Sequence, residues 1–310
     1  MDLLRRININ TKYICITGGD GFIGSNLARF LTDNTNNVLR VVGHEDLTNY
    51  ENCLKITRDM DYVFHFANRM GGIKFVKDNG VDIMTNNILS NVNMIKASAE
   101  NEVERFFFPS SFCVYPEFLQ KNFPVRSRPI KEEHVMPANP DTFYGWEKLF
   151  TEKMLEAYSK KMKVRIARFV SIYGPGNHYK GGQEKVIPAL CYKALKATDS
   201  IEIFGTGKQV RSFCYIDDCI DAIIKIMESD YNTPFNVDGP DTATVNTIAD
   251  YAIQESGKSL VKIFIQGETG VETRIADIIK IKTLLGWKPK VRLKNGIQKT
   301  YEWIRSEENK

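Results

Sequence analysis

Short apolar runs alternate with amphipathic stretches through the first half of the chain. Residues 14–16 are apolar, and after a glycine-rich turn Ile23, Leu27, Phe30 and Leu31 recur at helical spacing. Residues 38–42 and 62–66 read as strands, and 81–99 as a long helix. Residues 105–109 read as an apolar strand, 142–161 as a helix and 164–169 as a strand. This alternation predicts an α/β fold, a doubly wound parallel sheet with helices on both faces. Ligands of such sheets lie beyond the carboxyl ends of the strands.

From about residue 175 the pieces shorten. Residues 186–197 look helical, followed by short segments at 201–204, 213–216, 235–237, 247–255, 261–265 and 278–285. They predict a smaller mixed α/β portion towards the C-terminus that binds substrate. The expected division gives residues 1–175, with returning segments in about 205–240, to a nucleotide-binding domain. The remainder of 176–310 goes mostly to substrate. No internal repeat or low-complexity segment interrupts it.

The turn after the first strand reads Thr17-Gly18-Gly19-Asp20-Gly21-Phe22-Ile23-Gly24. Such spacing alone also marks plain structural turns. The strand before it and the helix after it point to a Rossmann-like dinucleotide site. Gly18 and Gly21 allow a tight turn close to a pyrophosphate, and Gly24 allows the helix to pack on the strand. The free N–H groups of the first helical turn, at Phe22 and Ile23, favour phosphate. Such sites often carry an acid at the end of the second strand to bind the adenosine ribose. Here Val42 or Gly43 stands there. Asp46 is expected to meet the adenine. Arg40 is the only nearby candidate for a 2′-phosphate, and Asp20 would repel one, so NAD is favoured and NADP is the alternative.

Composition narrows the function by exclusion. The net charge of +4 is spread without a basic block, which argues against nucleic acid. The four histidines lack metal-ligand spacing, so no metal site is read. No run of about 18 apolar residues exists to span a membrane. The six cysteines form no C-x-x-C pair, and the first ten residues lack the apolar segment of a signal peptide. A reducing cytoplasm is the expected compartment.

Tyr144 and Lys148 lie four apart on an expected helix and so share one face. A nearby ammonium lowers a tyrosine pKa, and such a phenol can take a proton from an alcohol while hydride leaves to a cofactor. Ser110 and Ser111 follow a strand, where a hydroxyl can share the substrate oxygen. Arg211 suits a diphosphate bidentately. Taken alone, Cys113 reads as a buried thiol and Lys185 as a surface lysine.

With these residues in view, the chain resembles the extended short-chain dehydrogenase/reductases that act on nucleotide sugars. The resemblance rests on the glycine loop, Asn87 six before Asn93, Ser111, Tyr144 with Lys148, and Arg168-Phe169 leading into Ile172-Tyr173-Gly174-Pro175. Arg211-Ser212-Phe213 and Arg274-Ile275-Ala276-Asp277 complete it, over almost the full length. Within that group it is most similar to the GDP-mannose 3,5-epimerase family. Met70-Gly71-Gly72, Ser110 to Phe118, Lys180-Gly181-Gly182-Gln183-Glu184-Lys185 and Glu51 to Lys55 carry this closer likeness.

The resemblance implies Cys113 and Lys185 as an acid/base pair beside catalytic Tyr144, Lys148 and Ser111. It implies cofactor contacts at Ala67 and Asn87, and substrate contacts at Gly71, Ser111, Lys193, Arg211 and Arg274. It implies a GDP-sugar substrate, NAD recycled in each turnover through a transient 4-keto sugar, and a homodimer joined through paired helices.

Departures leave an alternative open. Ser171 stands where that family has asparagine, Phe112 where a small residue is usual, and the second-strand region is shortened. That shortening and the run Val186-Ile187-Pro188-Ala189-Leu190 resemble GDP-fucose synthase, a 3,5-epimerase that also reduces C4 with NADPH. Its base is histidine, where this chain has Lys185. A non-catalytic nucleotide-sensing protein would share the fold. It would be free to lose Tyr144 and Lys148, and both are present.

Overall fold

A computed structural model describes residues 11–121, 129–267 and 270–310. The strands are β1 (Tyr13–Thr17), β2 (Val38–Val42), β3 (Tyr62–His65), β4 (Arg105–Ser111), β5 (Lys163–Phe169) and β6 (Ser171–Tyr173). They continue with β7 (Ser200–Phe204), β8 (Val210–Tyr215), β9 (Phe235–Val237), β10 (Thr242–Thr244), β11 (Val261–Ile265) and β12 (Thr273–Arg274). The helices are α1 (Phe22–Asn34), α2 (Tyr50–Thr57), α3 (Ile73–Asp78), α4 (Gly80–Glu100) and α5 (Phe143–Tyr158). After them come α6 (Val186–Lys196), α7 (Ile216–Glu228), α8 (Val245–Ser256), α9 (Ile279–Leu285) and α10 (Leu293–Glu308).

Six parallel strands form the central sheet in the order β2-β1-β3-β4-β5-β9. Its α/β, doubly wound form follows from apolar residues on both faces of each inner strand. Ile14, Ile16, Phe64, Phe107 and Phe169 pack on one face with Leu27 and Leu31 of α1 and Ile220 and Ile223 of α7. Cys15, Val63, Phe106, Phe108 and Ile166 pack on the other with Cys53 of α2, Met94 of α4 and Leu155 of α5. Strand order reverses beside β1, whose neighbours are β2 and β3. The crevice for a ligand therefore opens above the carboxyl ends of β1 and β3.

After β5 the chain leaves this sheet. β8 pairs with β10, β12 and β6, and β7 pairs with β11. β9 then returns as the sixth strand, beside β5. Register places Arg274 of β12 directly opposite Arg211 of β8.

Three elements differ from what the pattern suggests. β4 runs through Ser110 and Ser111 rather than ending at Pro109. Beyond Phe107 it pairs only with β5, so a residue without an N–H is tolerated there. Helix α7 follows β8 with no Gly or Pro between them; Asp217 and Asp218 in its first turn suit the helix N-terminus. Helix α10 buries a narrow stripe of Leu293, Gly296, Ile297, Thr300, Tyr301 and Ile304. The residues on which the signal-peptide expectation rests lie outside the described ones. Among the described residues no helix is long and apolar enough to cross a membrane.

Candidate functional site

The glycine loop closes as a cradle above β1. Gly18 adopts φ of 65°, and a Cβ there would lie 2.7 Å from Phe66 and Ala67 backbone atoms. A Cβ on Gly24 would overlap the Gly18 carbonyl. Gly21 N donates to Gly18 O at 3.0 Å, and Gly19 N donates to Val42 O at 3.0 Å, which ties the loop to the end of β2. Gly21 caps α1 with no side-chain acceptor, so the N–H groups at Phe22 and Ile23 face the cradle unsealed. These features fit the pyrophosphate of a dinucleotide.

A buried polar chain runs beneath the crevice. Thr17 Oγ1 lies 2.7 Å from His65 Nδ1 and accepts from Ala67 N at 3.2 Å. His65 Nε2 meets Asn91 Oδ1 at 3.0 Å, and Asn91 Nδ2 donates to Glu147 Oε2 at 3.1 Å. Asn87 Nδ2 donates to Glu147 Oε1 at 3.2 Å, while its Oδ1 accepts from Arg69 N at 2.8 Å. Burial, aided by the Lys148 charge, pushes His65 down to about 3, so it is neutral at pH 7.

Thr142 caps α5 by accepting from Gly145 N at 3.2 Å. Gly145 has no side chain, so α5 settles onto the turn at Cys113; a Cβ there would overlap Cys113 O. This contact sets Tyr144 and Lys148 against the 111–113 turn. The Tyr144 hydroxyl faces the side chains of Ser111 and Asn68, both of which favour its anion. Lys148 Nζ sits 5.5 Å from the Tyr144 ring centre, 4.5 Å from that of Phe108 and 3.5 Å from Glu147 Oε1.

One expectation is reversed here: the net shift of the Tyr144 phenol is upward. Burial pushes it well above its ordinary value, and Glu147 and Cys113 add to that. Burial also draws the Lys148 ammonium below its ordinary value, against the opposing pull of Glu147.

Ser111 Oγ accepts from Cys113 N at 3.1 Å. Arg274 reaches the same turn from β12: Nη1 donates to Cys113 Sγ at 3.1 Å, Nη2 meets Asp141 Oδ2 at 2.7 Å and Nε donates to Gln120 Oε1 at 3.1 Å. Lys185 stands at the N-cap of α6. Burial lowers its ammonium, and the neighbouring Cys113 opposes that shift. Cys113 thus has a guanidinium at its sulfur and an amine within electrostatic reach. A thiol and an amine so placed can each hold or release a proton.

The remaining expected residues divide. Arg211 Nη1 donates to Val210 O at 2.8 Å and Glu272 O at 3.0 Å; burial and then Arg274 lower it to about 9. Gly71 is buried against Phe75, where a Cβ would lie 2.8 Å from the ring. Lys193 stands in the last turn of α6 and donates to Glu202 O at 3.1 Å, against β7 rather than among the arginines. Asp46 is exposed and accepts from Thr48 N at 3.0 Å and Thr48 Oγ1 at 2.6 Å. Those two bonds hold its carboxyl below the usual range. Arg40 is occupied by carbonyls at the end of α2. Among the described residues no group of three or more His, Cys, Asp or Glu could hold a metal ion.

Asn68, Gln120, Asp141 and Glu147 join the site without having been expected. For Glu147 a signal exists: it is three residues after Tyr144, and Asn87 and Asn91 lie four apart on α4, one face pointing at it. Gln120 and Asp141 have no local signal, because they meet Arg274 only across the fold.

The chain is similar to known proteins in sequence and fold. The model of the NAD dependent epimerase/dehydratase family matches residues 14–238. GDP-mannose 3,5-epimerase 1 of Oryza sativa subsp. indica is 38% identical over 312 residues, 95% of this chain and 82% of that protein. The crystal structure of UDP-glucose 4-epimerase from Thermotoga maritima superimposes with a TM-score of 0.84 at 26% identity, covering 95% of this chain and 99% of that one. A GDP-6-OMe-4-keto-L-xylo-heptose reductase from C. jejuni gives 0.85 at 25% identity, covering 96% and 98%. The cradle, the Tyr144–Lys148 helix and these likenesses together place the chain in the NAD-dependent epimerase/dehydratase family, as a nucleotide-sugar epimerase.

Proposed function

We propose that this protein is a nucleotide-sugar 3,5-epimerase acting on GDP-mannose or a close GDP-hexose. The observation that carries this reading is the pairing of Cys113 with Lys185 beside Tyr144, with Arg274 on the sulfur. Residues 1–175, with returning segments in about 205–240, hold the cofactor; 176–310 mostly hold the sugar nucleotide. Arg211, Arg274 and Gly71 are the substrate contacts; Lys193, bonded to Glu202 O of β7, stands apart from them. Gly18, Gly21, Phe22, Ile23, Gly24, Asp46, Ala67 and Asn87 are the cofactor contacts.

When bound, NAD supplies the hydride acceptor for C4 of the hexose and returns the hydride at the end. Tyr144 takes the C4 hydroxyl proton, Ser111 shares the same oxygen, and Lys148 offsets charge on the phenol. A ketone at C4 acidifies the protons on C3 and C5. Inversion needs one group to remove a proton from one face of the ring and another to deliver one to the opposite face. Cys113 and Lys185 provide those two groups, and the protons balance after each inversion. A second copy of the chain is the expected partner. Helices α4 and α5 expose Val81, Leu89, Phe143, Trp146 and Phe150, a surface suited to pairing helices.

The runner-up is an epimerase that also reduces C4 of a 4-keto-6-deoxy GDP-sugar. Its support is the shortened second-strand region and the likeness to the C. jejuni reductase. Protein as purified, given GDP-mannose and no added cofactor, should yield new sugar isomers by NMR with no net change in nicotinamide absorbance. Turnover only of a 4-keto-6-deoxy GDP-sugar, with stoichiometric loss of NADPH, would replace the first reading with the second.

A further inference from the structure

The adenosine ribose of a dinucleotide lies over the end of the second strand, where an acid usually receives its hydroxyls. In this chain that end is bare: β2 stops at Val42, and Gly43, His44, Glu45 and Asp46 follow. Yet the space is filled. A Cβ at Gly43 would lie 3.1 Å from Asp20 Cγ and 3.3 Å from each Asp20 carboxylate oxygen. The carboxylate of the glycine loop thus occupies the volume that a side chain after β2 would take. Two features bring it there. The Gly19 N–H clips the loop to Val42 O at 3.0 Å, and Gly43 leaves room.

Two neighbouring charged groups are engaged elsewhere. Asp46 spends its carboxylate on Thr48 in the turn that opens α2. Arg40, the basic residue of β2, donates from Nη1 to Ile56 O at 2.8 Å and Arg58 O at 2.9 Å, so that nitrogen is held by carbonyls at the end of α2. Asp20 is half exposed (51%), with His44 Nδ1 3.6 Å from its Oδ2.

We propose that Asp20, supplied by the glycine loop rather than by the second strand, receives the adenosine ribose hydroxyls and selects NAD over NADP. A carboxylate accepts two hydroxyl hydrogen bonds, whereas a 2′-phosphate brings a second anion against it. The inference is independent of which sugar is epimerised, because it concerns the adenosine end of the cofactor.

Titration calorimetry on cofactor-stripped protein tests it, with NAD, NADP and 2′-deoxy-NAD as probes. The parent protein should bind NAD on the order of 100-fold more tightly than NADP, from charge repulsion and the lost hydroxyl contact. Asp20→Asn should narrow that ratio at least about tenfold. Asp20→Ala should bind NAD and 2′-deoxy-NAD almost equally, whereas the parent should favour NAD several-fold. Unchanged discrimination in Asp20→Ala, or a collapse of the ratio in Asp46→Asn and none in Asp20→Asn, would overturn the proposal.

Discussion

Gly145→Ala tests whether helix α5 positions the chemistry by direct contact with the Cys113 turn. The added methyl would overlap Cys113 O and sit 3.0 Å from Cys113 C and 2.8 Å from Pro140 Cβ. Two of these atoms are backbone and the third belongs to a ring, so no side-chain rotation relieves the clash. Helix and turn must separate by roughly an ångström to reach ordinary contact distances of about 3.5–4 Å. Overpacking of this kind costs about 1–3 kcal/mol, and about 1 kcal/mol returns because alanine favours a helix over glycine. The net loss of stability is therefore about 0–2 kcal/mol. Function should suffer more. The separation carries Tyr144 and Lys148 away from Ser111 and Cys113, and a misplacement of about 1 Å can cost on the order of 100-fold in rate. Thermal melting and turnover of the sugar nucleotide, measured on one preparation, read both numbers. A variant with parental rate and parental melting temperature would refute the contact.

Three further perturbations separate the parts of the site. Arg274→Gln leaves the Asp141 carboxylate buried without its ion pair, at a cost of about 3–5 kcal/mol; adding Asp141→Asn should recover much of it, and strictly additive losses in denaturant titrations would contradict the pairing. His65→Gln should flatten the acid limb of stability. The folded-state pKa of about 3 lies below the unfolded value near 6.5, so the unfolded chain binds the proton first. Stability then falls as pH drops through that window, by about 1.4 kcal/mol per unit for this one group. Equal pH slopes in parent and variant would remove His65 from that role. Tyr144→Phe should stop the first hydride transfer while cofactor still binds, and normal accumulation of reduced cofactor on mixing with substrate would clear Tyr144 of it.

How far the chain announced this structure depends on the range of each interaction. The glycine loop is legible because its strand, turn and helix are contiguous in the chain. The six-stranded sheet is legible because successive residues such as Phe106 and Phe107 are both apolar, which demands cover on both faces. Helix α7 is obscured by an uninterrupted passage from β8, and α10 by its polar surroundings.

Within the site, Arg274 and Cys113 are 161 positions apart, and nothing local foretells their hydrogen bond. The Tyr144 shift has the opposite sign from a simple reading of Tyr-x-x-x-Lys. Spacing reveals the ammonium, whereas the burial that outweighs it belongs to the whole fold. Asp20 is visible as an odd residue in the loop, but its place at the end of β2 follows from the Gly19–Val42 clip and the room that Gly43 leaves.

The central claim is that Cys113 and Lys185 exchange protons at C3 and C5 of a transiently oxidised hexose. The most direct measurement is deuterium uptake from D2O into GDP-mannose, read at each carbon by NMR, for the parent protein and for Cys113→Ala and Lys185→Ala. The parent should label C3 and C5, and each variant should lose labelling and inversion while retaining bound cofactor. Labelling that persists at both carbons in either variant would contradict the assignment.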